Sequence, residues 1–501
     1  MDVITNLMGG FATCLTLPNI GMAALGAFLG TMVGILPGLG PSATMAIILP
    51  ITFGMDPTPA VIMLCSLYYG AMYGGSTTSI LVNVPGESSS VVTAIEGYQL
   101  ARQGKAGTAL GLSAIGSFVA GILGTISLAF LASFLAEYSL KFGPAEMFSL
   151  VMMGMFTIIY VGGKDITKSL MSMVIGLGLG TVGTDIVQGE PRFTYGVSEL
   201  LDGVDFVILV MGTFGIAEVL ESAEEYLKIV PMKVKFRDLF PKLKDIWYCR
   251  WAILRGYFVG FFICCVPGSG PTIASFLSYG VEKSISKHPE KFGTGVIEGI
   301  AGPESSNNAA VSGAMVPMFS LGIPGSGATA VLLGGLIMYG LKPGPMLFVE
   351  SADFVWAVMA SMFIGNCILI VMNLPLVPLF ASLLRIPYGL IYPAILIICI
   401  VGAFAVASGL FEVGLMLVFA VCGYFMKKGG VPAAPMLMAL IMGPMMERSL
   451  YQALNLSHGN MMVFIQRPIS ATLLSIIVLM SLYVGIRTIR GKKAAIEEAE
   501  E

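Results

Sequence analysis

Two five-residue stretches, 37–41 and 267–271, constrain this chain more than any other feature. Both read Pro-Gly-x-Gly-Pro, and each interrupts a strongly apolar run. A second break in apolar sequence follows each of them, at 84–90 in the first half and at 323–329 in the second. Because such a pentapeptide is rare by chance, two copies with matching downstream partners indicate an internal repeat. The chain is therefore predicted to have two related halves, each with two interrupted hydrophobic segments.

The composition predicts a protein that crosses a membrane many times. Of 501 residues, 56% are hydrophobic and 11% are charged, whereas a soluble domain carries about 25% charged residues. The net charge of −3 gives no reason to expect nucleic acid as a partner. The eight cysteines form no Cys-x-x-Cys pair and the two histidines are isolated, which argues against a metal or redox centre.

The apolar runs around the two pentapeptides, 20–50 and 251–280, suit re-entrant hairpins. Each arm has about 12 to 15 residues, and a full crossing needs about 20. Positive charge gathers in cytoplasmic loops, and both 228–250 and 281–292 are rich in lysine or arginine. The hairpin between these two loops therefore has to enter and leave on one side. A kinked single span is the alternative interpretation.

The same charge rule predicts an inverted repeat. The loop 98–107 follows the first break and carries Arg102 and Lys105, so it is predicted inside. Its counterpart, 341–353, carries Lys342 with two acidic residues and is predicted outside. Equivalent loops on opposite sides are the signature of inverted topology. We expect an all-α polytopic membrane protein with about eleven transmembrane helices plus two re-entrant hairpins.

The predicted organisation has five parts. An N-terminal interfacial segment, a basic cytoplasmic linker, and a final span with a charged cytoplasmic tail occupy 1–19, 226–250 and 447–501. The first repeat, 20–225, contains a hairpin at 20–50, a broken helix at 60–97 and spans to 221. The second repeat, 251–446, contains a hairpin at 251–280, a broken helix at 294–340 and spans to 446.

The four breaks form the predicted binding site. Non-helical backbone survives at membrane depth only inside protein or beside a water-filled cavity. Half-helix N-termini suit an anionic carboxylate, and freed carbonyls suit Na⁺. A purely structural role in caps and close helix contacts is the alternative. The candidate substrate- or ion-binding residues are Gly38, Leu39, Gly40, Ser76, Thr77, Pro85, Gly86, Glu87, Ser88, Ser89, Gly268, Ser269, Gly270, Glu304, Asn307, Asn308, Pro324, Gly325 and Ser326.

Two of these candidates, Glu87 and Glu304, are acidic residues in apolar surroundings. A carboxylate at the bilayer centre costs about 2.5–3.5 kcal/mol, so such residues are candidates to bind a coupling cation or carry a proton. Glu87 has Ser326 at its counterpart, and its alternative role is to stabilise the helix that restarts after the break. No catalytic residue is predicted, because the Walker A, Gly-x-Ser-x-Gly and His-Glu-x-x-His motifs are absent.

Five stretches resemble one known family. The segments 34–41, 73–87, 266–271, 302–310 and 321–327 are similar to the large membrane subunit of the tripartite tricarboxylate transporter family. The resemblance implies a permease of the bacterial inner membrane that imports di- and tricarboxylates or related organic acids. It implies Na⁺ or H⁺ symport without a cofactor, a small four-helix membrane subunit, and a periplasmic solute-binding protein. A carboxylate channel and an intramembrane enzyme are the alternative functions.

Overall fold

The computed structural model describes residues 3–36, 39–139, 142–161, 165–185, 189–223, 239–377, 379–380, 388–407 and 409–482. These residues are predominantly helical. The β structure among them is one antiparallel pairing of Gly183–Thr184 with Pro191–Arg192. The predicted all-α class is therefore confirmed.

The first half contains the helices up to the basic linker. In chain order they are α1 (Val3–Cys14), α2 (Leu17–Gly34), α3 (Pro41–Ile48), α4 (Pro57–Val82), α5 (Val91–Leu100), α6 (Ala106–Ser139), α7 (Pro144–Val161), α8 (Ile166–Gly180), α9 (Phe206–Val210) and α10 (Ala217–Ser222). Short 3₁₀ turns lie at Leu49–Thr52, Ser88–Ser90 and Ser198–Leu200, and π-helical segments lie at Ala101–Lys105 and Met211–Ile216.

The second half contains the helices from the described part of the basic linker onward. Its helices are α11 (Leu243–Cys264), α12 (Gly270–Ile285), α13 (Glu298–Leu321), α14 (Gly327–Met338), α15 (Leu347–Glu350), α16 (Ala352–Asn373), α17 (Tyr388–Ala407), α18 (Leu410–Lys428), α19 (Ala434–Leu456), α20 (Val463–Gln466) and α21 (Pro468–Leu482). A 3₁₀ turn lies at Pro289–Lys291.

The length and apolar composition of the helices fit a multi-pass membrane protein. In the described part of the chain, five helices are long and apolar enough to cross a bilayer: Leu17–Gly34, Ser88–Ser139, Ala352–Asn373, Gly389–Val406 and Leu410–Lys428. The total of about eleven spans stays a prediction. The N-terminal α1 packs onto α16, where a Cβ on Gly10 would overlap the Trp356 carbonyl.

Helices α2 and α4 pack with their backbones in contact. A Cβ on Gly26, Gly30 or Gly34 would overlap the carbonyl oxygen of Met63, Leu67 or Ala71, respectively. Small residues at four-residue spacing allow such close approach of membrane helices. The residue numbers of the contacting positions increase in the same direction along both helices, so α2 and α4 run parallel. The segment between them therefore returns alongside α2, which is the path that a hairpin over 20–50 requires.

Helices α11 and α12 form an antiparallel pair around the second pentapeptide. Arg255 on α11 donates two hydrogen bonds to the Glu282 carboxylate on α12, from Nε at 2.8 Å and from Nη2 at 2.7 Å. Bidentate pairs of this kind fix the relative position of two elements. The hairpin at 251–280 is thus held closed by an ion pair. The depth of both hairpins in a membrane stays a prediction.

The two halves correspond most closely in α4 and α13. Both helices end in the left-handed region, at Asn83 with φ 58° and at Gly322 with φ 72°, as is common at helix C-termini. Ser76 contacts Glu304, while Tyr69, earlier on α4, contacts Ser312, later on α13. The equivalent helices α4 and α13 therefore run antiparallel, which is the relation that an inverted repeat requires. Their orientation in a bilayer stays a prediction.

The chain divides into two compact units that do not follow the repeat boundaries. The larger unit comprises residues 1–140 and 205–433, and it contains all four breaks. The smaller unit comprises 141–204 and 434–501, where Arg192 pairs with Glu447 at 2.7 Å and Gly176 packs against the Met436 carbonyl. The predicted repeats are a relation between sequence segments, so a different division by contacts does not test them. Residues 226–238 of the predicted basic linker lie outside the described residues.

Replacing Gly30 by valine is expected to disrupt folding. The new side chain meets backbone, which cannot move aside, so we expect destabilisation of about 3 kcal/mol or more. Gly21→Val is the matched control on the same helix, because a Cβ there has no neighbour within 4 Å. The measurements are the amount of protein in the membrane and the melting temperature in detergent. Equal behaviour of the two variants would contradict the described packing of α2 on α4.

Candidate binding site at the helix breaks

The first break begins where α4 ends. Pro85 and Gly86 follow Asn83, and Gly86 packs so tightly that a Cβ there would overlap the Gly34 carbonyl. Glu87 then caps the 3₁₀ turn that leads into α5, and its Oε2 accepts a hydrogen bond of 2.8 Å from the Ser89 N–H. The positive end of this restarted helix therefore already holds a carboxylate that belongs to the protein.

The second break repeats this geometry with one chemical change. Pro324 and Gly325 follow Gly322, and Ser326 caps α14: its Oγ accepts from the Thr329 N–H at 3.3 Å, and its N–H donates to Thr329 Oγ1 at 2.7 Å. The first break has the same capping box, formed by Glu87 and Ser90. Both caps satisfy backbone donors that would otherwise be orphaned. The N-terminus of α14 differs in that its cap is neutral.

Each break contacts the central helix of the opposite half. Glu87 Oε1 accepts from Asn307 Nδ2 at 3.3 Å, and Ser89 Oγ donates to Asn307 Oδ1 at 2.6 Å. The Tyr68 hydroxyl lies 3.1 Å from Ser326 Oγ. Tyr68 on α4 and Asn307 on α13 occupy equivalent positions of the two repeats, so the two sets of contacts are reciprocal.

The hairpin tips also reach the breaks. The Gly268 N–H donates to the Gly325 carbonyl at 3.0 Å, and Ser88 Oγ lies 3.0 Å from Thr272 Oγ1 on α12. In the first hairpin, Ser42 Oγ is 3.0 Å from where a Cβ on Gly327 would stand. The Ser88–Thr272 and Gly327–Ser42 contacts occupy equivalent places in the two halves. The segments that follow both pentapeptides and the two downstream breaks therefore meet in one region, and the binding role of this region stays a prediction.

A second polar group lies around Glu304 on α13. Its carboxylate accepts hydrogen bonds from Ser76 on α4 at 2.7 Å and from Ser113 on α6 at 2.9 Å. Thr93 on α5 also donates to it, and Ser117 on α6 lies 3.5 Å away. Asn308 donates from Nδ2 to Ser117 Oγ at 2.7 Å. Glu304 thus ties α13 to three helices of the first half.

The structure distinguishes between the remaining predicted residues. Ser269 turns into its own hairpin tip and donates to the Ile263 carbonyl at 2.6 Å, so it supports the tip. Leu39 and Thr77 are buried. Gly40 is the N-cap of α3 and Gly270 is the first residue of α12, and a Cβ on either would have no neighbour within 4 Å. Gly38 lies outside the described residues.

Sequence reasoning missed several residues that complete the two polar groups. Tyr68 pairs with the second break, and its place in an apolar helix gave no signal of that role. Ser113 and Ser117 do carry a signal, because they stand one helical turn apart on α6 and therefore share a face. The remaining missed residues are Thr93, which follows the first break at 84–90, and Thr272, which directly follows the second pentapeptide at 267–271.

The site is closed in this conformation. The relative exposure is 7% for Glu87, 6% for Ser326 and 1% for both Glu304 and Asn307. In the described part of the chain no group of three His, Cys, Asp or Glu residues is arranged to hold a metal ion. The arrangement places hydroxyl, amide and backbone groups beside two carboxylates. The N–H and O–H donors suit a small anion, and the oxygen atoms suit a hard cation.

Comparison with known proteins identifies the family. The model of the tripartite tricarboxylate transporter TctA family matches residues 20–438, which include every break and hairpin. The chain belongs to the TctA family. It is therefore a multi-pass membrane protein of a transporter family, which confirms the resemblance seen in the motifs.

Two relatives from Agrobacterium vitis are similar to the TctA-family chain described here. One is named an uncharacterized 52.8 kDa protein in the TAR-I ttuC′ 3′ region, and it is 43% identical over 495 residues, or 98% of this chain and 99% of the relative. The other, named an uncharacterized protein in the TAR-II ttuC′ 3′ region, is 39% identical over 228 residues, or 46% of this chain and 94% of the relative. No solved structure matches the chain.

Proposed function

We propose that this chain is the permease subunit of a binding-protein-dependent secondary transporter. It imports di- or tricarboxylates, or related organic acids, by Na⁺ or H⁺ symport. The observation that carries the proposal is the reciprocal contact between each break and the opposite half, Glu87 with Asn307 and Ser326 with Tyr68. Substrate and ion sites of secondary transporters lie where interrupted helices of two repeats meet.

The substrate carboxylate binds at the second break in this proposal. The N-terminus of α14 has a neutral cap in Ser326, whereas the equivalent position of the first break is filled by the carboxylate of Glu87. A helix N-terminus attracts anions through its free N–H groups and its dipole. At the first break the Glu87 carboxylate occupies a helix N-terminus of this kind, which supports placing the substrate carboxylate at the equivalent position of the second break.

Transport requires the buried site to open to either side in turn. Alternating access moves the hairpins and breaks, as an elevator or by rocking, against the rest of the chain. The proposed partners are a small four-helix membrane subunit and a periplasmic solute-binding protein that delivers the carboxylate. The proposed location is the bacterial inner membrane, with the C-terminus in the cytoplasm on the basis of its basic flank.

The test is uptake of radiolabelled citrate and other carboxylates into proteoliposomes. The chain is reconstituted with its small subunit, with and without the binding protein, under an imposed Na⁺ or pH gradient. We expect accumulation above equilibrium that needs both a gradient and the binding protein. Equilibration that depends on neither would contradict symport and favour a channel. Liposomes without protein, and gradients collapsed by ionophore, are the controls.

A further inference from the structure

Glu304 lies in a shell of hydroxyl groups. The residue is 1% exposed and lies on α13. The hydroxyls come from α4, α5 and α6, so four separate segments meet at one carboxylate. The contacting residues are Ser76, Thr93, Ser113 and Ser117.

The negative charge of Glu304 has no cationic side-chain partner among the described residues. Some other buried acids there have a cation nearby: Glu282 pairs with Arg255, and Glu146 lies 3.4 Å from Arg467. Glu87 at the first break has neutral donors in Ser89 and Asn307. Glu96 instead accepts from three backbone N–H groups, including that of Gly295 at 2.7 Å. Because a buried carboxylate without a counter-charge is costly, the hydroxyl shell suits a carboxylate that acquires a cation.

One further oxygen atom near Glu304, Oδ1 of Asn308, lacks a hydrogen-bond partner in the described structure. Asn308 is fully buried, and its Nδ2 donates to Ser117 Oγ at 2.7 Å and to the Glu304 carbonyl at 3.2 Å. These bonds hold the amide next to the carboxylate while its Oδ1 has no partner. Buried polar atoms are normally satisfied, so this oxygen points to a ligand.

We propose that Glu304, the hydroxyls of Ser76, Ser113 and Ser117, and Asn308 Oδ1 bind one Na⁺ ion. Carboxylate, hydroxyl and amide oxygens are the ligands of hard cations. A single carboxylate neutralises a monovalent cation, whereas a divalent cation would leave one positive charge without a counter-charge. The five proposed ligand residues, all of which the structure describes, include no sulfur or imidazole ligand, so softer metals are disfavoured.

The proposed ion would couple to the breaks through short connections. Thr93 on α5 lies just after the first break, and Asn307, which contacts Glu87, is adjacent to Asn308. Ion binding would hold α5 and α13 in their present relation, and that relation shapes the first break. This coupling role rests on the proposed function, whereas the binding site itself does not.

The test is saturable binding of ²²Na⁺ to the purified chain in detergent, at fixed pH in choline buffer. We expect Ser76→Ala and Ser113→Ala each to weaken Na⁺ binding by about tenfold or more, and Glu304→Gln to abolish it. Ser79→Ala and Ser133→Ala are matched controls on the same two helices. Their hydroxyls are buried but donate only to carbonyls of their own helices, at 3.1 and 2.7 Å, so binding is expected to stay unchanged.

Absence of saturable ²²Na⁺ binding by the wild-type chain would overturn the proposed site, as would equal binding by the Ser113→Ala and Ser133→Ala variants. The serine variants keep the test decisive if Glu304→Gln fails to fold. Uptake driven by a pH gradient without Na⁺ binding would overturn this site and leave the symporter intact. Na⁺ binding without any carboxylate uptake would leave the site and overturn the proposed function.

Discussion

Replacing Ser326 by aspartate is expected to reduce carboxylate uptake by more than about tenfold, while Ser326→Asn is expected to retain most of it. Aspartate brings a carboxylate to the N-terminus of α14, just as Glu87 brings one to the first break. The built-in anion then competes with the substrate for the same N–H groups, and tenfold corresponds to about 1.4 kcal/mol of lost binding.

Asparagine is the matched control because it has the same shape as aspartate without the charge. Serine, asparagine and aspartate are all good N-cap residues, so the helix start is expected to survive in both variants. The measurement is the initial rate of gradient-driven uptake, normalised to folded protein by detergent melting curves. If Ser326→Asp transports as fast as Ser326→Asn, the substrate carboxylate does not bind at the second break.

Replacing Glu87 by alanine is the second change from which we expect a large loss, again more than about tenfold in uptake. The carboxylate accepts from the Ser89 N–H and from Asn307 Nδ2. Truncation leaves buried donors unpaired, at about 1–3 kcal/mol for each group, and it removes one of the two bonds between the first break and Asn307 on α13. We therefore expect a lower melting temperature together with the loss of uptake.

Two further variants separate the charge of Glu87 from its hydrogen bonds. Glu87→Gln keeps an acceptor oxygen but loses the charge. Compared with Glu87→Ala, it is expected to recover more of the melting temperature than of the uptake. Glu199→Ala removes an exposed acid whose side chain accepts a hydrogen bond of 2.8 Å from neighbouring Ser198, and it is expected to transport normally. Wild-type uptake by Glu87→Ala would show that the first break needs no carboxylate.

The positions of the breaks could be predicted because they depend on local backbone chemistry. Proline removes a helix donor, as Pro85 and Pro324 do here, and the adjacent glycines allow backbone approach that a Cβ would block. Gly86 and Gly325 meet Gly75 and Ala314 in this way. The capping residues Glu87 and Ser326 follow the same local logic.

Roles within a break were harder to predict, since neighbouring polar residues point in different directions. Ser269 was a candidate ligand, but it bonds to carbonyls of its own hairpin tip. Ser88 contacts α12, whereas Ser89 contacts α13. A sequence motif specifies that a polar group is present, and the helix against which the break packs decides what it contacts.

The sequence by itself determined the membrane class, the family and the positions of the interruptions, because hydropathy and the Pro-Gly motifs act over short segments. Only the tertiary structure decided which groups surround the two carboxylates. Glu304 meets hydroxyls that lie far from it along the chain on α4, α5 and α6, and Tyr68 meets Ser326 across the two halves. Such convergence depends on helix packing, whose register is set by contacts such as Gly30 on Leu67 and Gly260 on Ser306.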